Sequence, residues 1–263
     1  MPGNIIRIAV ILAGICEASV WGARAAEYTL TPSAQTVHIG YFNAAQKPVL
    51  TINSGDIVTI ETAATGIDPA DIDRSGAVPP SAVPDYVRTI YREVTDRGPG
   101  FHILTGPIFV NGAMPGDVLE VRILGIDLAV DYGFNRWRPN TGALPDEFPG
   151  FFLRVIPIDR QTKSARVATG VIVPVNRPFF GTMGVAPLPV MGRISSSPPG
   201  VHTGNIDNKD LIAGTTLFTP VFPAYRPGLV VRPWLPAAFR PPAASRMAAT
   251  SRARTGRSTT AIT

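Results

Sequence analysis

A mainly β fold, a sandwich or barrel-like arrangement with few short helices, follows from three observations. Glycine and proline punctuate the chain throughout, 25 and 27 of them in 263 residues. Between them lie short β-branched and aromatic runs, the composition of strands set off by turns. The third observation is Val118 to Leu128, where Val121 and Ile123 alternate with Glu120, Arg122 and Leu124. A period of two places one face of a strand in a core and the other toward water.

The elements follow in order. Arg7 and the apolar run from Ile8 to Ile15 precede Ala23-Arg24-Ala25, an A-x-A cleavage pattern. That run is too short to span a bilayer, and the pattern predicts an export signal over 1–26 and a periplasmic destination. Cys16 is the single cysteine and lies inside that signal. The remaining chain then has no disulfide, no Cys-ligated zinc and no Cys nucleophile. Strands are expected at Val49 to Ile52, Ile57 to Thr62, Val118 to Leu128, Phe151 to Ile158, Arg166 to Val173 and Thr215 to Val221. Helical spacing of Val87, Ile90, Tyr91 and Val94 predicts a helix over Asp85 to Asp96, with Pro84 at its start and Gly98-Pro99-Gly100 at its end. Gly66 to Pro80 reads as an exposed loop or lid. Ser54-Gly55-Asp56-Ile57 and Pro115-Gly116-Asp117-Val118 echo each other. A Gly-Asp turn that opens a strand explains the echo more simply than a duplication does.

Charge separates the chain into two parts. The net charge is +5, from 24 Lys and Arg against 19 Asp and Glu. Seven arginines lie after Phe222, where there is no acid, so the part before it has 17 basic residues against 19 acids. The basic balance belongs to the tail, which argues against a nucleic-acid surface on the folded part. The tail, 223–263, has no sustained period and is expected to be disordered. A role for it in holding an acidic partner is a weaker reading, and it predicts that removing the tail hardly changes folding. The β domain is expected to occupy 27–222. The partners expected are a small-molecule substrate and further copies of the chain in a homo-oligomer, with no stable membrane span.

Chemistry concentrates between Pro198 and Phe222. His202 stands among Gly200, Gly204, Asn205 and Asp207, and a strand-like run follows. A His with an Asp five residues on suits a metal pair or a base with its orienting carboxylate, and spacing leaves both open. His102 lies in a turn, and His38 in a plain strand-like stretch that reads as structural. No G-x-S-x-G elbow, phosphate loop or H-E-x-x-H motif occurs. Ser195-Ser196-Ser197 reads as a loop.

Three segments resemble the acetamidase/formamidase family. They are His102-Ile103-Leu104-Thr105-Gly106-Pro107-Ile108, then Val110 to Val121 around Gly112-Ala113-Met114-Pro115-Gly116-Asp117, then Gly200-Val201-His202-Thr203-Gly204-Asn205-Ile206-Asp207. Thr203 stands where the family commonly has Gly. The resemblance runs from about Gln35 to Phe222. It implies a mainly β fold and hydrolysis of small linear amides, such as formamide or acetamide, to carboxylate and ammonia. It also implies a divalent metal, with zinc as the candidate. Amide hydrolysis needs an activated water, a stabilised oxyanion and a proton for the leaving amine. On this reading His202 and Asp207 bind the metal or activate water, Asn205 bonds the carbonyl oxygen, and His102 carries a proton or adds a ligand. Asp117 is better explained by its turn. After Pro220-Val221-Phe222 the family's segment rich in Gly, His and acids has no counterpart. A tail read in a shifted frame of a GC-rich gene would account for that. The fold is then expected to be incomplete at its C-terminus, with an open sheet edge and weakened metal binding and activity. The competing reading is an exported β-rich binding or structural protein without the chemistry.

Overall fold

The computed structural model describes residues 25–63, 66–140, 142–222, 229–234 and 243–252. The expected export signal therefore falls outside the described residues, apart from its last two positions. Near the N-terminus lie β1 (Glu27–Leu30), β2 (Val37–Ile39), β3 (Tyr41–Phe42), β4 (Leu50–Ile52) and β5 (Ile57–Glu61). Helices α1 (Pro69–Ser75) and α2 (Asp85–Glu93) follow. The middle holds β6 (Ile103–Thr105), β7 (Ile108–Val110), β8 (Val118–Leu128), β9 (Tyr132–Trp137), β10 (Phe152–Asp159), β11 (Ser164–Ala168) and β12 (Val171–Pro174). The last part holds β13 (Thr182–Val185), β14 (Ile194–Ser195), β15 (Pro199–Gly200), β16 (Thr203–Asn205), β17 (Thr216–Pro220), β18 (Leu229–Trp234) and β19 (Ala243–Arg252).

Two sheets share the main core. One runs β1-β5-β19-β8-β17 and the other β15-β16-β13-β18-β7-β4. Val58, Ile60, Leu119, Val121 and Ile123 come from the first, and Ile52, Ile108, Val110, Met183 and Val185 from the second. Apolar faces of two sheets packed on each other make a sandwich, and burial of such side chains is the main favourable contribution to it. The sheets do not close into a barrel. The period of two in β8 is borne out: Leu119, Val121 and Ile123 are buried while Arg122 and Leu124 are exposed. Glu120 is the exception, buried and held by Arg122 Nε at 2.7 Å.

The Gly-Asp echo has a structural meaning beyond a shared turn. β4 and β7 run parallel, with Leu50 opposite Ile108 and Ile52 opposite Val110. Asn53 and Asn111 continue that register, the Asn111 amide donating to Asn53 Oδ1 at 2.9 Å. β5 and β8 then leave the two turns and both pair antiparallel with β19. The segments are thus two stacked arches in equivalent positions. In each turn the Gly sits at positive φ, 94° and 95°, and the Asp carboxylate accepts from the backbone N–H three residues earlier. Asp117 is accounted for by this turn.

Two expectations change. The exposed loop expected over 66–80 contains α1. Asp68 caps it by accepting from the Ala70 N–H, Pro69 opens it, and Gly76 at φ 64° closes it. A seven-residue helix is too short to show a period, so only its caps were legible. The strand expected from Arg166 to Val173 is two strands, folded back on themselves at Thr169-Gly170 with Gly170 at φ 75°. The stretch 223–263, expected to be a disordered tail, lies mostly outside the described residues; the parts of it that are described, 229–234 and 243–252, are β18 and β19. β18 lies between β13 and β7, and β19 between β5 and β8. Backbone hydrogen bonds from two neighbours place these strands, which the residue pattern of 243–252, Ala-Ala-Ser-Arg-Met-Ala-Ala-Thr-Ser-Arg, does not announce. No helix among the described residues is long and apolar enough to cross a membrane.

Candidate functional site

The three histidines, far apart in sequence, gather around one short segment, His38 to Phe42. β2 pairs with β6, and the pairing continues past Ile39 into the Gly40 N–H, which donates to the His102 carbonyl at 2.7 Å. β3 pairs with β14, which brings Ser196 alongside: its N–H donates to Gly40 O at 3.1 Å. Phe42 on the other side meets the His202 ring edge-on, with centroids 4.7 Å apart. His38 packs edge-on against Tyr41 at 5.1 Å. All three histidines are buried.

His102 has the most defined surroundings. Its Nδ1 lies 2.8 Å from Ser196 O and 2.9 Å from Ser196 Oγ, and both residues are wholly buried. A carbonyl oxygen has no hydrogen to give, so Nδ1 is the nitrogen that carries the proton in the neutral ring. The basic lone pair is then on Nε2. This is how an orienting acceptor fixes the tautomer of a working histidine. Glycines permit the close approach. A Cβ on Gly100 would lie 2.2 Å from Ser196 Oγ and 2.7 Å from Gly40 O, and one on Gly40 would lie 2.5 Å from Gly100 O.

His202 sits in the two-residue turn between β15 and β16, with Gly200 paired to Thr203. Its ring packs against the flanking glycines. A Cβ on Gly204 would lie 2.6 Å from His202 Nε2, and one on Gly200 3.0 Å from Nδ1. Its carbonyl accepts from the Val185 N–H of β13 at 3.1 Å. The turn places Thr203 at φ 64° and, further on, Asp207 at φ 45°. The first of these is a strained position for a β-branched residue.

Asn205 ties the two parts together. Its Oδ1 accepts from Thr182 Oγ1 at 2.6 Å, and its amide donates to Ser197 O at 2.8 Å. Hydrogen bonds therefore run from Thr182 on β13 through Asn205 to the Ser197 carbonyl, whose chain neighbour Ser196 holds His102. The structure brings His102, Asn205 and the 195–197 loop together, and the His202 ring packs against Phe42. Asp207 is exposed at the end of the same segment, its N–H donating to Gly181 O at 2.8 Å. Ser196 was missed by the sequence reading, and no residue pattern could have found it. Its role comes from a pairing between β3 and β14 that spans about 150 residues.

Among the described residues no three or more His, Cys, Asp or Glu side chains are grouped to hold a metal ion. His202 and Asp207 are two donors, and a protein site for zinc ordinarily needs at least three. The described residues alone do not make a complete donor set.

Residues 93–197 match the Acetamidase/Formamidase family. That span includes His102 and Ser196 and ends before His202. Among solved structures, a predicted acetamidase/formamidase of the thermophile Thermoanaerobacter tengcongensis aligns with a TM-score of 0.65 at 24% identity, covering 87% of this chain and 70% of that one. Acetamidase from Bacillus halodurans aligns at 0.61 with 23% identity, over 85% and 70% of the two chains. A gamma lactamase from Delftia acidovorans aligns at 0.62 with 21% identity, over 86% and 68%. No curated protein sequence matches the chain. The chain thus has the acetamidase/formamidase fold, and its 93–197 segment carries that family's sequence pattern.

Proposed function

We propose that this protein hydrolyses the carbon–nitrogen bond of small linear amides, formamide and acetamide being the first substrates to try. The observation that carries this reading is the buried His102, whose Nδ1 is tied to the Ser196 carbonyl so that Nε2 is the basic nitrogen. A neutral imidazole with one fixed lone pair is suited to take a proton from attacking water and return it to the departing amine. His202, whose ring meets Phe42 edge-on, is the second group we assign to the reaction. Asn205 is bonded at both ends of its amide, which suits it to holding the 195–197 loop; any bond to the substrate oxygen would come from its remaining N–H. Asp207 and a divalent metal, zinc first, stay part of the proposal as a donor and an ion that further ligands would have to complete.

The test is ammonia release from formamide and acetamide, with and without added Zn²⁺, for wild type, His102→Ala, His202→Ala and Asp207→Ala. Release by wild type that falls at least about 100-fold in the His102 variant supports the reading, since general acid–base groups contribute on that order. No release under any metal condition favours a β-rich binding protein on the same fold.

A further inference from the structure

Tyr132, Phe134 and Arg136 alternate along β9, and the first two pack in the core beneath α1 and α2. Arg136 ends that face, opposite Leu153, which packs in the same core. Its side chain is half-buried, yet it makes no ion pair with another described residue. Burial is the largest influence on its charge and disfavours it, and Arg138 adds to this, while Tyr91 and Asp71 act the other way. Neither of those two is a partner. Asp71 accepts from Arg74, and burial keeps the Tyr91 phenol neutral up to about 12. A guanidinium does not shed its proton in a protein, so holding it half-buried without an acid is costly.

The surroundings of Arg136 lead to the amide site. A Cβ on Gly66 would lie 3.0 Å from Phe101 Cδ2 and 3.5 Å from Arg136 Nη2. The guanidinium and the Phe101 ring thus flank the same glycine, which at φ 74° has no side chain to separate them. Phe101 in turn lies against His102, with ring centroids 4.1 Å apart. Phe101 is 38% exposed and His102 wholly buried, so Phe101 stands between His102 and solvent on this side.

We propose that Arg136 is a specificity residue that receives a carboxylate, and that the preferred substrates are short aliphatic amides with a carboxylate at the far end, such as succinamate. This rests on the amide-hydrolysing reading given above. The carboxylate accepts from the guanidinium fork, whose geometry it matches. The methylene spacer packs on Phe101, and the amide reaches His102. Water adds to the amide carbon and the C–N bond breaks, so succinamate and water become succinate and ammonium, with no further reactant. A neutral amide leaves the guanidinium unpaired, and that difference separates the two substrate classes.

The experiment compares kcat/KM for succinamate and for butyramide, its uncharged counterpart, in wild type, Arg136→Met and Arg136→Lys. Calorimetric titration with succinate reads the same site without turnover. Methionine fills similar space without a buried charge, and such a replacement is often neutral or stabilising, so the fold should survive. Wild type is expected to prefer succinamate at least about tenfold, as a charge-assisted hydrogen bond provides. Arg136→Met should abolish that preference and the succinate binding, and Arg136→Lys should keep part of both. Rising salt should reduce the preference. Equal use of the two amides by wild type overturns the proposal, as does a preference that Arg136→Met leaves unchanged. If neither amide is hydrolysed, the amidase reading fails and the titration decides alone. Succinate binding that Arg136→Met removes then upholds the carboxylate site, and no binding by wild type overturns it.

Discussion

A carbonyl oxygen can only accept a hydrogen bond, and that orients His102. Ser196 supplies both its carbonyl and its hydroxyl to Nδ1. Ser196→Ala removes the hydroxyl and keeps the carbonyl, so the tautomer should survive while the ring is held less firmly. We expect turnover of the amide substrate to fall about tenfold, the lower end for loss of an orienting partner. The ¹⁵N shifts of His102 should still report the proton on Nδ1. A proton found on Nε2 in the wild type would remove the basis of the proposed chemistry, whatever the activity. Gly100→Ala tests the close packing around the pair. Its Cβ would meet a hydroxyl and a backbone carbonyl, and overpacking against backbone costs about 2–3 kcal/mol. A chemical denaturation curve should show that loss. Thr203 offers the reverse case. At φ 64° a side chain costs about 1–2 kcal/mol, and glycine returns about 0.5–1 of that as chain entropy. Thr203→Gly should therefore raise stability by about 0.5 kcal/mol; a fall would show that the Thr203 hydroxyl, bonded to the His202 carbonyl and facing Thr219, outweighs the strain.

At the scale of elements, α1 and α2 form a unit with its own titration. Arg88 of α2 donates from both Nη atoms to the carboxylate of Asp73 in α1, at 2.7 and 2.9 Å. These hydrogen bonds hold the Asp73 carboxyl below its usual range. A depressed carboxyl contributes stability above its unfolded value and loses it as the pH falls through the folded one. The same unit has a mirror-image response to base. Burial pushes the Tyr86 and Tyr91 hydroxyls up to about 12. A raised folded value favours the neutral phenol, so that contribution is complete below pH 10 and is lost as pH rises toward 12. Absorbance of tyrosinate should rise in step with loss of helical circular dichroism over that window. Tyr86→Phe should move the transition to higher pH. An ordinary phenol titration near pH 10 with the helices intact would refute this account. The α2 pattern was legible because Val87 and Ile90 recur at helical spacing and are buried. α1 was not, because seven residues show caps but no period. The Gly-Asp echo was legible as sequence, but its meaning was not. Asn53 and Asn111 meet only because β4 and β7 are laid side by side.

For the molecule as a whole, the sandwich was readable from local pattern and its closure was not. Strands such as β8 and β17 show in the residues because one face is apolar. His102 and His202 were identified as residues of interest, but their convergence on Gly40 and Phe42 depends on pairings β2–β6 and β3–β14 that no local pattern encodes. The most consequential pairings at this scale are those of the strands described after Phe222. β19 joins β5 to β8 across ten residue pairs with β8 and five with β5, and β18 joins β13 to β7. Each is the inner strand that makes one sheet out of two fragments. A chain ending at Phe222 would lack both and expose four strand edges, on β5, β8, β13 and β7. Unpaired edges beside an apolar core favour pairing with other chains, and the lost ladders remove backbone hydrogen bonds worth about 0.5–1.5 kcal/mol each. Removing the tail should therefore unfold or aggregate the protein, contrary to what a disordered tail predicts. The measurement is the soluble fraction and melting temperature of residues 25–222 against the full chain. A truncated protein that stays soluble with an unchanged melting temperature would mean that β18 and β19 hold neither sheet together.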